Sequence, residues 1–321
     1  MGSDEDAVGV VVPMYNSERT IAATLASICA QTHLWLDIVV TDDGSTDGSA
    51  TIVEGWSRRD ARVRLIRQSN AGVAAARNAG AAATPAQFLA FVDADDIWAP
   101  TKIEYQLAAL HEGGASAGLA YCWFASIDQR DRVVSFGPQP LIEGRVVRDL
   151  CNANWIGNGS SLLLRREAFE RVGGYEPSLR ARRAQGAEDL LMCLRVAEVA
   201  EFRVVPRYLV GYRMAPDSMS SDSLQMFRST ELVLQEFLDK YPDYADEIGN
   251  HLHDSRTWFA YRAGRSGRGA AALLLLREAF AVHPIRTARY LAHTAVTIAA
   301  GRIRRRIGRK VVYPLYTGVF W

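Results

Sequence analysis

Three carboxylates fall within four residues at Asp93, Asp95 and Asp96, and no lysine or arginine intervenes before Lys102. Carboxylates this close repel one another unless a hard cation and its anionic ligand sit between them. Because Asp93 and Asp95 are two apart, an extended or turning backbone can aim both at one point. A second acidic pair, Asp42-Asp43, opens a polar segment running to Ser49, and a third, Glu188-Asp189, leads into an apolar helical repeat. Such groups offer two chemistries: oxygen ligands for Mg²⁺ or Mn²⁺, and a general base for a hydroxyl proton. Plainer structural readings compete. Asp93 to Asp96 is also a polar turn capping the helix that Pro100 begins, and Thr46 or Asp47 caps a helix in its own right. Glu188 and Asp189 are also first-turn acids favoured by the helix dipole. Arg77, the one long cation on a small-residue helix, is by ordinary statistics a solvated surface residue.

The elements that must position these groups follow from periodicity. Phe88 to Val92 is a short apolar run with two aromatics, the pattern of a buried parallel strand. Val8 to Val12 stops at Pro13, Leu36 to Val40 runs into Asp42, and Val63 to Ile66 supplies a third run. Between them lie helical patterns: Ile21, Leu25 and Ile28 after a cap at Asn16 or Ser17, then Ile52 and Trp56, then Asn70 to Ala83. Strand and helix alternate, which predicts βαβ units and a parallel sheet. The carboxyl ends of such strands are where ligands bind, and three of the acidic segments stand there. Further strands are expected at Leu119 to Ile127, Val133 to Phe136, Leu162 to Leu164 and Phe202 to Val210, with a helix over Ala187 to Ala200. From about Leu224 the pattern is helical only, roughly 224–240, 244–263, 268–282 and 285–300. The polar cluster Ser218 to Ser223 marks the expected boundary between a catalytic domain, 7–221, and a helical extension, 222–321.

Composition narrows the class. The chain has 321 residues, 49% hydrophobic and 23% charged, which describes a folded globular protein longer than one core fills. A net charge of +1 gives no global signature of a nucleic-acid binder. The charge is uneven: Arg302, Arg304, Arg305, Arg306, Arg309 and Lys310 form a basic run without an acid. Cys29, Cys122, Cys151 and Cys193 are too dispersed for a zinc site or disulfide framework, which fits a reducing compartment. No signal peptide or membrane-spanning run is expected, so the reading is cytoplasmic.

Four segments stand in order: Val11-Val12-Pro13-Met14-Tyr15-Asn16, Asp42-Asp43-Gly44-Ser45, Asp93-Ala94-Asp95-Asp96 and Glu188-Asp189. With Asn70-Ala71-Gly72-Val73, Ala76-Arg77-Asn78-Ala79-Gly80 and Asp96-Ile97-Trp98-Ala99-Pro100, the set resembles family 2 glycosyltransferases of the GT-A fold over about residues 7–220. The resemblance implies an α/β fold with a central, mostly parallel sheet, and a metal-dependent, inverting transfer from a nucleotide-diphosphate sugar. It implies that Pro13 and Tyr15 border the base and that Asp43 accepts a hydrogen bond from it. Glu18 and Arg77 would lie near the nucleotide. Asp93 would sit by the ribose and the metal, Asp95 would ligate Mn²⁺ or Mg²⁺, and Asp189 would be the general base. Trp98 and Glu188 would lie near the sugars.

There are departures. Members of the family often carry His where Ala215 stands, and Arg213, Asp217 or Ser218 are the candidates to replace it. No Trp follows an Arg, so the Gln-x-x-Arg-Trp motif of the processive synthases is missing and transfer of a single sugar is expected. The donor base leans to uridine and the acceptor to a saccharide or lipid-linked saccharide. The basic run 302–310 suits peripheral contact with an anionic membrane. Three Lys against 34 Arg suggest a GC-rich bacterial genome, which fits polysaccharide or glycolipid assembly. Two alternatives remain: a non-catalytic nucleotide-sugar-binding scaffold, and a sugar-nucleotide pyrophosphorylase, which would begin with a Gly-rich basic phosphate loop.

Overall fold

A computed structural model describes residues 6–214 and 222–294. Strands β1 (Val8–Met14), β2 (Leu36–Asp42), β3 (Val63–Arg67) and β4 (Phe88–Phe91) form the first half of one nine-stranded sheet, in the order β3-β2-β1-β4. All three pairings are parallel, as the alternation with α1 (Ile21–Cys29), α2 (Ser49–Ser57) and α3 (Val73–Ala82) requires. The register places Met14 beside Asp42 and Val11 beside Phe91, so the segments after β1, β2 and β4 open on one edge. β1 is buried along its whole length, the burial expected of a strand covered on both faces.

The second half is mixed. β5 (Ile97–Trp98) precedes α4 (Lys102–Glu112), and β6 (Ala117–Ile127) turns through β7 (Val133–Phe136). α5 (Val147–Asn152) then leads to β8 (Leu162–Arg165), α6 (Arg166–Arg171), α7 (Ser178–Ala181), α8 (Glu188–Val199) and β9 (Glu201–Arg213). The sheet continues β4-β8-β6-β9-β5, with β8 antiparallel to both neighbours and β6 parallel to β9. β9 runs to Arg213, three residues beyond its apolar stretch, because it pairs with β6 to its end.

From Ser223 the described elements are helices: α9 (Ser223–Lys240), α10 (Ala245–Arg265), α11 (Gly269–Val282) and a stretch over 284–294. They share a core with the sheet, because Val233, Leu234, Phe237 and Ile248 join α8 and Phe91 in one apolar cluster. The other large cluster fills the opposite face with Val10, Val12, Ile38, Phe88 and Trp98. No helix among the described residues is long and apolar enough to cross a membrane.

Three capping expectations change. At α2 the residue before the helix is Gly48, not Thr46 or Asp47, with no side-chain cap. The residue before α1 is Thr20, not Asn16 or Ser17, and no side chain caps it. Asn16 takes a left-handed backbone (φ 48°) and ties two loops, donating its N–H to Ser45 Oγ and accepting from the Thr46 N–H. The carboxylates at 93–96 do not cap α4 either, since β5 intervenes and Thr101 precedes the helix.

Candidate active site

Helix α3 organises the site. Arg77 is 3% exposed rather than solvated, and its guanidinium sits between two acids. Nη2 donates to Asp93 Oδ1 and Nη1 to Asp189 Oδ1, each at 2.7 Å. Asp93 follows β4 and Asp189 lies in the first turn of α8, so one cation joins segments 96 residues apart in sequence. The Tyr175 ring lies 4.8 Å from the guanidinium carbon, an attractive placement for a cation over an aromatic face. Asn78 holds that ring in place: its amide donates to the Tyr175 carbonyl and accepts from the Tyr175 N–H, at 2.8 and 2.9 Å. Two residues on, Gly80 lets α3 lie against the sheet, because a side chain there would strike Val11 and Thr41. Ala-Arg-Asn-Ala-Gly is therefore a packing motif and a charge-placing motif at once.

The segment after β4 divides its carboxylates. Asp96 is fully buried and accepts from Ser160 Oγ at 2.5 Å and from the Arg213 N–H at 2.9 Å. Ser160 Oγ also receives the Asp93 N–H at 3.1 Å, so this hydroxyl fixes the whole turn. Burial, with Asp95 and Asp93 beside it, pushes the Asp96 carboxyl well above the usual carboxylate range. Asp95 is half-buried; loss of water, then the neighbouring Asp93, raises its carboxyl to about 6, and Arg213 only partly opposes this. Arg213 itself is 6% exposed and directs Nε to the Asp95 carbonyl, Nη1 to the Asp128 carbonyl and Nη2 to Asp131.

Asp189 keeps 28% of its side chain exposed. Burial raises its carboxyl above the ordinary range, Arg77 pulls it down, and Asp93 pushes it up again. Gly159 lies directly against it: a Cβ there would come within 2.6 Å of Asp189 Oδ1. Glu188 is 4% exposed and turns back to accept from the Gly186 N–H at 2.7 Å, so it closes the start of α8.

At the opposite side of the cleft, Asp43 accepts from Gln68 Nε2 (2.7 Å), the Ala71 N–H (2.8 Å) and the Gly72 N–H (2.8 Å). These take three of the roughly four acceptor positions of a carboxylate. Gly72 meets this geometry with a left-handed φ of 95°. Pro13 is buried at the end of β1, while Tyr15 beyond it is 52% exposed. Glu18 accepts from the Gly48 N–H at 2.9 Å and so braces the loop after β2.

The structure thus brings together Arg77, Asp93, Asp95 and Asp189, and places Pro13, Tyr15, Glu18 and Asp43 along the same strand edge. Trp98 does not join them. Its ring is 2% exposed, with Nε1 donating to the Ser160 carbonyl at 3.0 Å and Lys102 Nζ 4.0 Å above it. The ring belongs to the core beneath the site, and an apolar aromatic next to an acidic turn is filled that way more easily than by a sugar. Ala215, Asp217 and Ser218 lie outside the described residues. Sequence reasoning missed Ser160, Gly159 and Tyr175 and gave Asp96 and Asn78 no separate role; for the first two the signal was the polar Asn158-Gly159-Ser160-Ser161 directly before a buried strand.

The family profile described as Glycosyl transferase family 2 matches residues 9–173, about half of the chain. The chain belongs to glycosyl transferase family 2. Its relatives include a Nostoc glycosyltransferase of unassigned specificity, alr2836, 31% identical over 53% of this chain and 54% of its own. Another is the Escherichia coli UDP-Glc:alpha-D-GlcNAc-diphosphoundecaprenol beta-1,3-glucosyltransferase WfgD, 35% identical over 46% of this chain and 57% of its own. The chain spans little more than half the length of these relatives. Among solved structures, Staphylococcus aureus TarS 1-349 in complex with UDP-GlcNAc superposes with a TM-score of 0.62 at 19% identity, covering 88% of this chain and 82% of its own. The mannosyltransferase PcManGT from Pyrobaculum calidifontis in complex with GDP-Man and Mn2+ gives 0.59 at 19% identity, covering 90% and 79%. These neighbours establish the fold of this family 2 member as GT-A, with a helical C-terminal region.

The donor set of this family 2 member suits a hard dication. Asp93 and Asp95 offer carboxylate oxygens, and Asp95 has no cationic side chain bonded to its carboxylate among the described residues. No group of three or more metal-binding side chains occurs there either. A cation held by two acids would take its remaining ligands from water or a bound anion, the habit of Mg²⁺ and related ions.

Proposed function

We propose that the protein moves one sugar from a nucleoside-diphosphate sugar, most simply UDP-linked, to an acceptor hydroxyl with inversion. The observation that carries this reading is the Arg77 bridge, which fixes Asp93 and Asp189 through one oxygen each and leaves each a second oxygen that Arg77 does not bond, with the Gly159 N–H and Tyr175 also beside Asp189. Asp93 and Asp95 would hold Mg²⁺ or Mn²⁺, which when bound neutralises charge developing on the departing diphosphate. Asp43, with one acceptor position left, and Tyr15 and Pro13 would receive the base. Glu18 and Arg77 would shape the nucleotide subsite from behind. Asp189 would take the acceptor proton through its second oxygen while Arg77 keeps the carboxylate ionised and oriented. Glu188 would act by holding the start of α8, and Trp98 by supporting the Ser160 carbonyl beneath the sugar.

The named specificities of the bound neighbours, UDP-GlcNAc and GDP-Man, support a nucleotide-sugar donor. A saccharide or lipid-linked acceptor fits the glucosyltransferase relative. The division into a catalytic domain, 7–221, and a helical extension, 222–321, belongs to the same reading, as does peripheral contact of 302–310 with an anionic membrane in a bacterial cytoplasm.

The deciding experiment is a thermal-shift panel of UDP-, GDP- and dTDP-sugars with and without Mn²⁺, on wild type and Asp95→Ala, followed by transfer assays with the donor that binds. A metal-dependent rise in melting temperature, lost in Asp95→Ala, is expected because a ligand selective for the folded state stabilises it by mass action. No shift with any donor would overturn the reading.

A further inference from the structure

Helix α11 has two unlike faces. Ala272, Leu275 and Ala279 are buried, with Leu275 in a small cluster with Phe227, Phe259 and Ala260. On the other side Leu273 is 70% exposed, Leu274 41% and Phe280 40%; Val282 at 54% and Ile285 at 69% continue the surface. At 100° per residue, Leu273, Arg277 and Phe280 form one stripe, with Leu274 and Ala281 beside it. One exposed leucine needs no explanation, but five large apolar side chains within thirteen residues make a patch.

Within its own segment the charge is mostly positive. Residues 265–294 hold five arginines (265, 268, 277, 286 and 289) against a single acid, Glu278, which pairs with Arg256 at 3.4 Å. Acids from the start of α9 and from α10 meet two of the arginines: Asp222 lies 3.9 Å from Arg268 and Asp254 2.7 Å from Arg286, which leaves Arg277 and Arg289 without an ion pair among the described residues. An apolar stripe rimmed by arginines is the composition of a helix that lies in a membrane interface. A second copy of the chain is a poor occupant, because the stripe would bring arginine to a self-complementary contact that offers no acid to pair with it.

The helix connects to the start of α8 through α9. Phe227 of its cluster follows Met226, whose sulfur fills the space beside Gly186, and the Gly186 N–H is held by Glu188, the neighbour of Asp189.

We propose that the exposed face of α11 docks on an anionic lipid bilayer, with Leu273, Leu274 and Phe280 entering the headgroup layer and Arg277 and Arg289 over lipid phosphates. This rests on the peripheral contact proposed above and moves its apolar part from the tail to a folded helix.

Flotation of the full chain with phosphatidylglycerol-containing and pure phosphatidylcholine vesicles tests it. Wild type should float with the anionic vesicles only. The double variant Leu273→Glu, Phe280→Glu should lose about tenfold or more in vesicle affinity at unchanged melting temperature, and Arg277→Glu should lose less. Wild-type binding by the double variant would overturn the proposal, as would absence of wild-type binding. A wild-type dimer in light scattering that the double variant splits would also overturn it, assigning the face to a second copy. A variant with the six cations of 302–310 changed to Gln separates the two ideas. If it floats like wild type while the double variant does not, the tail contact fails and the helix proposal stands.

Discussion

Two buried arginines lie under the same acidic turn and do opposite things. Arg77 directs both terminal nitrogens to carboxylates, Asp93 and Asp189, whereas Arg213 uses its own mainly on backbone carbonyls and on the remote Asp131. The acids under Arg77 are therefore compensated and held still. Asp95, above Arg213, is only partly compensated by it, and its carboxyl is raised to about 6. A protein that buries an acid with its charge only partly offset leaves room for a cation from outside. Under the proposed function, the difference would separate a side for the acceptor proton from a side for the metal and diphosphate.

The sharpest way to break this contrast is Asp189→Asn. If this carboxylate takes the proton, transfer should fall about 10²–10⁴-fold while metal-dependent donor binding persists; an unchanged rate constant would remove Asp189 from the chemistry. Next, Arg77→Ala should cost about 3–5 kcal/mol in urea unfolding, because it strands two acids partly removed from water. Arg77→Lys should shift the acidic limb of the pH–rate profile upward. That sign follows because Asp189 is already raised and Arg77 is its lowering influence, so the base is lost at a higher pH as acid is added. Arg213→Gln should instead weaken Mn²⁺ activation by about 10–100-fold and leave that limb in place, as expected of a group supporting a ligand's backbone. Gly159→Ala, which crowds Asp189, should cost about 1–3 kcal/mol with reduced turnover.

A control outside both arginine regions should leave transfer itself unchanged. Loss of water pushes buried His251 down to about 4, so the folded chain keeps it neutral. Between about pH 6.5 and 4 the unfolded chain gains a proton that the folded one refuses, and stability falls as pH falls, by up to about 3 kcal/mol. Stability curves of His251→Phe and wild type should diverge in that window.

Much of this was legible beforehand for one physical reason: a parallel strand buried on both faces writes a continuous apolar run, and its ligand-bearing end must then be polar. Val8 to Val12, Leu36 to Val40 and Phe88 to Val92 announce themselves in this way, and their acidic sequels with them. The antiparallel half gives less away. Ser160 and Gly159 matter through a crossing that brings β8 against β4, and no local period records which strand a distant strand will meet. Arg77 shows the same limit from the other direction, since a lone helical arginine looks solvated until two acids from elsewhere are brought to it. Trp98 marks the limit of motif reading: proximity in sequence to the acidic turn did not place its ring in the cleft.

The three hydrogen bonds that Asp43 accepts have a consequence for anyone who would retune the enzyme. If Asp43 reads the nucleobase as proposed, it is at the same time the post on which the loop 68–72 hangs, with Gly72 in a backbone shape other residues resist. Substituting it would alter the reader and the wall in one stroke, so selection for a new donor should accept changes at Gln68 or Tyr15 before it accepts any at Asp43.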